Sequence, residues 1–453
     1  MMAVMVVIAF KPKPSRPAPR GSTGATGWLR AHLFYSWWST ILTVALGYCV
    51  VSFFLYLYTW GVADAVWEAD SRRQCLDESP HGACWAGIGH WFNAFLYGRY
   101  PAAERWRVIL TFAVVVLWLT PLWLSRVRAK PVIGATAAAI FPFLAAYLLA
   151  GGERGWILQV MVPLGVVAFV LVWLHVASCL WTGHPLAEWL YRIARVERES
   201  ERRRRIVFVS ACAVLTVFTG VLLSGWSLAY VKTNLWGGLL VTFLVAGVGI
   251  AVSLPGGVVV ALARRSRMPF MRACVIAYIE LVRSVPLVAV LFFAVTMTPL
   301  FLPPDVALDK LVLVMVAVSI FATAYMAEVV RGGLQAVPLG QIEAAQSIGL
   351  GYWNLMRLIV LPQALRHMIP NIASQFIGLL KDTTIVAIVG LYDFLLMLRA
   401  SGSNPIWIGL HIEPFVFGGA VYFSLCFAIS RYSQILEQQG SRRANTPINS
   451  GRR

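Results

Sequence analysis

Two adjacent ionisable residues, Lys381 and Asp382, lie near the middle of an apolar segment that covers residues 371–391. An ionisable side chain inside a membrane-type segment is energetically costly, and it usually serves a function. One interpretation is that these residues bind the carboxylate or the ammonium group of a solute on its way across the membrane. The other is that they pair with charges on a neighbouring helix and fix its packing. The sequence supports both interpretations equally.

Two further pairs of opposite charge stand three residues apart, where helical spacing brings side chains together. Glu280 and Arg283 form the first pair, and Glu328 and Arg331 form the second. Both lie toward the predicted ends of apolar segments. We interpret them as local helical ion pairs whose arginines extend to the membrane surface, with a gating role as the alternative.

A polar stretch between two long apolar segments is a further candidate site. Its sequence over residues 340–370 is GQIEAAQSIGLGYWNLMRLIVLPQALRHMIP, which is too polar to lie in lipid. Its apolar residues recur at steps of three and four, which predicts helical structure. The members of this stripe are Ile342, Ala345, Gly349, Tyr352, Met356 and Ile359.

Glycines divide this stretch into a predicted helix–turn–helix. Gly349 suits the position after a helix end, where φ is positive, and Gly351 can serve as the N-cap of the next helix. Pro362 disfavours the α region for Leu361, so the second helix is predicted to end there.

The first of these two helices could contact another protein. Glu343 offers a carboxylate in the first turn, where the helix dipole favours negative charge. Ala344 and Ala345 are small, so another surface could approach closely. The alternative is an ordinary amphipathic loop that lies on the membrane surface.

Two motifs that are typical of enzymes are absent from the sequence. The phosphate-cradling pattern Gly-x-x-x-x-Gly-Lys-Ser/Thr does not occur, nor does the nucleophile motif Gly-x-Ser-x-Gly. The histidines form no metal-ligand cluster. We therefore expect no enzyme activity, no metal and no cofactor on this chain, and any ATP must be hydrolysed by a partner.

The composition indicates an integral membrane protein. Of 453 residues, 59% are hydrophobic and only 13% are charged, whereas about a quarter are charged in a soluble domain. The net charge of +18 comes from short basic clusters between apolar runs. That distribution is typical of topology signals rather than of nucleic-acid binding.

The apolar runs predict an all-α protein with about ten transmembrane helices. The predicted spans are 36–60, 107–124, 131–149, 157–181, 207–229, 236–263, 270–299, 311–330, 371–391 and 415–430. With ten spans, all the basic clusters fall on the same side of the membrane, which predicts that both termini are cytoplasmic.

The longest predicted loop on the opposite side covers residues 61–106 and holds Cys75 and Cys84. An exported loop meets an oxidising compartment, where a disulfide can form. Spacing alone does not fix the Cα distance, so a disulfide and two free thiols are both open.

The polar stretch resembles the EAA loop of permease subunits of binding-protein-dependent ABC importers. The resemblance lies in the spacing Glu-Ala-Ala, three residues, Gly, nine residues, Ile-x-Leu-Pro. The residues that match this pattern are Glu343, Ala344, Ala345, Gly349, Ile359, Leu361 and Pro362, and Gly340 precedes them.

Residues 235–435 resemble the polar amino-acid uptake permeases through segments such as YIELVRSVPLVAVLF and AYMAEVVRGGLQAVPLGQ. The N-terminal part resembles the general L-amino-acid ABC transporter permeases of M type. That likeness lies in GACW (82–85), FLYGRYP (95–101) and ERWRV (104–108).

This resemblance implies a type I ABC importer permease core in a bacterial inner membrane. The helix with Glu343 would couple to a cytoplasmic ABC ATPase dimer, which binds ATP and Mg²⁺. A homologous second permease subunit would complete a heterodimer, and a periplasmic amino-acid-binding protein would deliver the solute. The only other contact expected is with membrane lipid.

The resemblance also implies a division of the chain. Residues 1–35 would be a cytoplasmic tail, and 36–206 an additional transmembrane region that ends in a basic linker, 182–206. Residues 207–435 would form the permease domain, with a coupling loop at 331–370. Residues 436–453 would be a second cytoplasmic tail.

The chain departs from the family pattern at Ser284, where Gly is expected, and at Ser374, where Asn is usual. These two residues, with Lys381 and Asp382, are the candidates for a substrate pathway. The alternative function is a stand-alone secondary transporter of a small polar solute, which requires internal repeats and broken helices at the midplane. A membrane-embedded enzyme would require converging catalytic residues, which the sequence does not indicate.

Overall fold

The computed structural model describes residues 24–124, 127, 130–152, 155–181, 213–222, 228–303 and 308–444. The regular elements in these ranges are helices, and their extended residues meet in isolated bridges. The prediction of an all-α membrane protein is confirmed. The predicted linker 182–206 lies outside the described residues, as do residues 1–23 and 445–453 of the predicted tails.

The chain divides into two compact units, residues 1–87 and residues 88–453. The first unit contains α1 (Gly24–His32), α2 (Trp37–Tyr58), α3 (Arg72–Glu78) and the start of α4 (Trp85–Tyr97). In this unit the carbonyl of Leu33 accepts hydrogen bonds from the hydroxyls of Ser39, at 2.7 Å, and Thr43, at 2.9 Å. These bonds fix the turn from α1 into α2.

The second unit contains the remaining helices. They are α5 (Arg105–Leu119), α6 (Lys130–Ala150), α7 (Trp156–Trp181), α8 (Ala213–Leu222), α9 (Gly238–Arg264), α10 (Pro269–Ser284), α11 (Leu287–Phe292), α12 (Lys310–Ala336), α13 (Leu339–Ser347), α14 (Tyr352–Leu355), α15 (Leu361–His367), α16 (Ile369–Asp382), α17 (Phe394–Ser401) and α18 (Ile412–Ala444).

Within the described ranges, eight helices are long and apolar enough to cross a membrane. They are Trp37–Ala63, Ala102–Leu122, Val132–Ala150, Ile157–Leu180, Gly238–Arg264, Lys310–Ala336, Ile369–Val389 and Ile412–Gln438. The pair α10 and α11 forms a ninth candidate, and the ten-residue α8 lies inside the predicted span 207–229. Nine of the ten predicted spans therefore coincide with a candidate spanning helix or a bent pair, and the tenth stays a prediction because the structure describes only a ten-residue helix within it.

The prediction of one continuous span over 270–299 is wrong, because the helix axis turns by 104° between α10 and α11. Val285 and Pro286 are extended there, with ψ of 133° and 142°. Proline has no N–H to donate, and its ring disfavours the α region for the preceding residue. The chain therefore leaves α10 at Ser284 and starts α11 in a new direction.

Glycines on α9 allow two other helices to approach it closely. A Cβ on Gly257 would lie 2.7 Å from Met326 Cγ of α12, and one on Gly249 would lie 2.8 Å from Leu379 Cδ2 of α16. Helices in membranes associate through such close packing, because lipid is as apolar as their side chains. The helices α9, α12 and α16 form the frame of the candidate site.

Within the second unit, a short segment, residues 98–101, contacts the chain just before α9. Gly98 has φ of +66°, and a Cβ on it would lie 2.4 Å from the Cα of Gly237. The amide of Arg99 donates to the carbonyl of Leu235 at 3.0 Å. The leading helices α5–α7 therefore belong to the same unit as the helices that follow residue 235.

Candidate functional site

The polar stretch lies between α12 and α16. Val337 and Pro338 are extended, with ψ of 124° and 136°, and separate α12 from α13. After α13 the chain turns and runs through α14, a π-turn over Met356–Val360 and α15. The two predicted helical regions are both present.

Gly349 forms the turn after α13. Its φ is +78°, and its amide donates to the carbonyl of Gln346 at 2.9 Å. The next amide, of Leu350, donates to the carbonyl of Ala345 at 3.2 Å. This is the Schellman arrangement, in which a left-handed residue satisfies the last carbonyls of a helix. The positive φ expected at Gly349 is therefore present.

The two alanines of α13 face in different directions. Ala345 is 2% exposed, whereas Glu343, Ala344 and Gly340 are exposed. The expectation that both alanines are open to another surface is wrong for Ala345. Successive helical residues point about 100° apart, so Ala345 packs against its own chain while Ala344 stays open.

Ala345 belongs to a hydrophobic cluster that holds the loop against α9 and α12. Its buried members are Ala261, Met326, Val330, Leu334, Val337, Ala345, Leu355, Met356, Val360 and Ala364. Ile342, Ile359 and Leu361 pack against them while partly exposed. Tyr352, which the stripe placed with this group, is 49% exposed. The cluster fixes α13 to the end of α12.

Pro362 does not end the second helix, contrary to prediction. Leu361 is α-helical, with φ of −60° and ψ of −45°, and Pro362 is the second residue of α15. The reason is the preceding π-turn, in which the Leu361 amide donates to the Met356 carbonyl five residues back. This wider register accommodates a residue that has no N–H. The helical run therefore continues to His367.

A cavity of about 500 Å³ lies between α9, α10, α12 and α16. Three of the predicted pathway residues line it: Ser284, Ser374 and Asp382. Four other polar residues line the cavity and were not predicted as pathway residues: Ser253, Arg283, Tyr325 and Gln375. Ser253 and Gln375 could have been found, because polar residues in apolar spans usually face a cavity or a partner.

Lys381 does not line the cavity and has an exposed side chain. It precedes Asp382 on α16, so the two side chains leave the helix about 100° apart. The structure therefore brings Asp382 together with Ser284 and Ser374 and separates Lys381 from them.

Five charged residues from three helices meet beside this cavity: Arg264, Glu280, Arg283, Glu328 and Arg331. We call them the ion cluster. Arg331 Nη2 lies 2.7 Å from Glu328 Oε2, and Arg264 Nη1 pairs with Glu328 Oε1. Arg283 Nη1 lies 4.0 Å from Glu328 Oε2, and Arg264 Nη2 lies 3.7 Å from Glu280 Oε1. The predicted pair Glu328–Arg331 is confirmed, whereas Arg283 pairs across helices with Glu328.

Cys75 and Cys84 are joined by a disulfide, with their Cα atoms 5.8 Å apart. Both are buried, with exposures of 1% and 0%. Cys84 also pairs through its backbone with Val66, and the indole N–H of Trp85 donates to the Gly61 carbonyl at 2.8 Å. These contacts fold residues 61–85 into a compact loop within the first unit.

Among the residues that the structure describes, no three His, Cys, Asp or Glu side chains are grouped so that they could hold a metal ion.

Comparison with known proteins places these features in a family. Residues 253–440 match the binding-protein-dependent transport system inner membrane component. The chain is 34% identical to the inner membrane amino-acid ABC transporter permease protein YhdY of Escherichia coli K12, over 94% of this chain and 96% of that protein. It is 36% identical to the glutamate/glutamine/aspartate/asparagine transport system permease protein BztC of Rhodobacter capsulatus, over 94% and 95%.

A crystal structure of an amino acid ABC transporter with histidines aligns with 44% of this chain and 90% of its own. It is 27% identical, with a TM-score of 0.40. The relatives in Escherichia coli and Rhodobacter extend over the leading helices as well as the matched component, since they align with 94% of the chain. The chain therefore belongs to the amino-acid ABC transporter permease family.

Proposed function

We propose that this chain is the transmembrane permease subunit of an ATP-driven importer of L-amino acids. The observation that carries the proposal is α13, a short exposed helix that presents Glu343 and is fixed to a membrane span through Ala345. The cargo class comes from the names of the relatives, one an amino-acid permease and the other a permease for glutamate, glutamine, aspartate and asparagine.

In this proposal α13 enters a groove of a cytoplasmic ABC ATPase dimer, which binds ATP and Mg²⁺. Gly340, Glu343 and Ala344 form the exposed face of the helix. Large apolar side chains flank it, with Leu339, Ile348 and Trp353 exposed by 72%, 74% and 73%. Exposed apolar side chains on an otherwise polar loop fit a protein contact.

The packing of α13 gives a route for force from the ATPase to the cavity. Ala345 packs in the same cluster as Leu334 and Met326 of α12. Met326 and its neighbour Tyr325 also line the cavity. A displacement of α13 would therefore move α12 and change the shape of the cavity, because packed interiors shift between arrangements rather than deform continuously.

The cavity is the proposed pathway, with Ser284, Ser374 and Asp382 as residues that the amino acid passes. Arg283 and Asp382 supply opposite charges, and the serines and Gln375 supply hydrogen-bond partners. A periplasmic binding protein would deliver the amino acid, and a second, homologous permease subunit would complete the pathway.

In the proposed orientation, the loop that contains α13 lies in the cytoplasm, as do both termini of the chain. A reporter enzyme fused within residues 70–80 should be active in the periplasm, and one fused within 196–204 should be active in the cytoplasm. If both fusions report the same side, the proposed orientation is wrong.

Co-purification tests the proposed function. Tagged wild-type permease should bring down a cytoplasmic ATPase in detergent, and cells should take up L-amino acids. Glu343→Lys should insert normally but release or uncouple the ATPase, because the contact charge is reversed. Gln341→Lys is the matched control, since it places the same charge on an exposed position of the same helix. Wild-type uptake and ATPase recovery with Glu343→Lys would reject the coupling role.

A further inference from the structure

We propose that Arg283 is a specificity residue that binds the carboxylate of the transported amino acid. To bind it, the Arg283 side chain moves away from Glu328. This inference rests on the proposed function, because it takes the cavity as the amino-acid pathway. It gives the ion cluster a role in recognition as well as in packing.

The position of Arg283 allows this exchange. Arg283 lines the cavity, and its guanidinium carbon lies 5.5 Å from the ring centroid of Tyr325, which lines the same cavity. Its side chain is 38% exposed. The guanidinium group therefore lies where the cavity meets the ion cluster.

The bonds of Glu328 leave Arg283 only loosely held. Arg331 donates to Glu328 Oε2 through Nε at 2.8 Å and pairs with it through Nη2 at 2.7 Å. Arg264 occupies the other oxygen. Arg283 Nη1 lies 4.0 Å from Oε2, beyond the range of a good hydrogen bond.

The net charge of the ion cluster also favours the binding of a carboxylate. Its three arginines and two glutamates carry a formal net charge of +1. An arriving carboxylate would balance this charge, and a guanidinium fork matches a carboxylate with two parallel hydrogen bonds. Asp382 lines the same cavity and supplies the charge that an α-ammonium group needs.

The exchange would also signal that the cavity is occupied. Glu328 and Arg331 belong to α12, which leads through Val337 and Pro338 into α13. When Arg283 turns to the cargo, its charge contact with Glu328, one of several contacts between α10 and α12, is lost. The loop end of α12 would then be freer to move under the pull of the ATPase.

The test is equilibrium binding to the intact complex of permease subunits and ATPase in lipid nanodiscs, without binding protein. The probes are radiolabelled L-glutamate, L-glutamine, L-aspartate and L-asparagine. Each is compared with its α-amide, in which the α-carboxylate is replaced by a neutral group. Arg283→Gln should weaken binding of the amino acids by about 10- to 100-fold, as for loss of a charged hydrogen bond. It should not change binding of the α-amides.

Two variants separate recognition from packing. Arg331 makes a stronger bond to the same Glu328, but it does not line the cavity. Arg331→Gln should therefore weaken amino-acid binding far less than Arg283→Gln. Arg283→Lys keeps the charge and should restore part of the affinity. Equal losses in Arg283→Gln and Arg331→Gln would overturn the inference, because the cluster would then act only in packing.

Two results with the wild-type complex would also overturn the inference: binding of none of the probes, or equal binding of amino acids and α-amides. Uptake by cells and recovery of the ATPase report on the proposed function independently. If these persist while the binding pattern fails, the inference alone is wrong. If they fail as well, the proposed function is wrong.

Discussion

The amide of Leu350 donates a hydrogen bond to the carbonyl of Ala345, 3.2 Å away, across a left-handed turn at Gly349. Ala345 is buried in the cluster that fixes the loop to α12. The direction in which α13 presents Glu343 therefore depends on the backbone conformation of one glycine.

Gly349→Val should misplace α13 and abolish or strongly reduce uptake. No atom lies within 4 Å of a Cβ at this position, so the effect comes from φ of +78° rather than from a clash. The left-handed region costs an L-residue at least about 1–2 kcal/mol, and a β-branched residue more. Uptake and ATPase recovery are measured in membranes matched for permease level.

Gly351→Val is the matched control for this change. Gly351 also has open space around it, but its φ of −67° suits any residue. It should retain more uptake than Gly349→Val. If both variants transport at the wild-type rate, the loop is not the coupling element and is an ordinary surface loop.

Asp382 and Lys381 should respond differently to neutralisation. Asp382→Asn should lower uptake roughly tenfold or more, because it removes a charge from the cavity wall. Lys381→Met should have a small effect, since Lys381 does not line the cavity. The double variant Lys381→Met/Asp382→Leu should assemble normally but lose uptake. Full uptake by the double variant would refute a pathway role.

The disulfide should protect both of its cysteines from alkylation. In protein from oxidising conditions, mass spectrometry without reductant should find Cys75 and Cys84 unmodified and linked. In a matched sample that is reduced before alkylation, both cysteines should be modified, which shows that the reagent can reach them. Ser substitutions at both positions should destabilise the folded loop of residues 61–85 by about 2–3 kcal/mol. Alkylation of both cysteines before reduction would contradict the disulfide.

Asp393 should make the protein less stable as the pH rises through about 6. Its side chain is fully buried and caps α17 by accepting from the amides of Leu395 and Leu396, each at 3.1 Å. Burial raises the pKa of Asp393 from 3.8 to about 6, although these hydrogen bonds and Arg399 oppose the shift. The folded state therefore favours the protonated carboxyl, whose contribution is fully present below pH 3.8 and is lost as the pH rises through about 6.

The test compares apparent melting temperatures in detergent between about pH 5 and about pH 7.5, where this effect amounts to about 1 kcal/mol. Asp393→Asn retains a capping oxygen but cannot ionise. The difference between wild type and variant should therefore change with pH in favour of the variant at high pH. A difference that is constant over this range would show that Asp393 does not titrate there.

The local features of this protein were predictable from the sequence. Long apolar runs need about 20 residues to cross a membrane and must satisfy their backbone groups internally, so they specify spanning helices. The turn at Gly349 was also predictable, because glycine has no Cβ and adopts positive φ at no steric cost. The role of the loop was suggested only by its resemblance to the EAA pattern, and the coupling role stays a prediction.

Tertiary structure decided which charged residues pair and which residues line the cavity, and the periodicity of the sequence does not contain this information. Glu280 and Arg283 have ideal spacing for a local pair, yet Arg283 faces Glu328 because α10 and α12 pack side by side. Asp382 lines the cavity and Lys381 does not, because the rotation of α16 is fixed by its contact with α9. Both outcomes depend on distances between helices far apart in the chain, and a single sequence records no such distance.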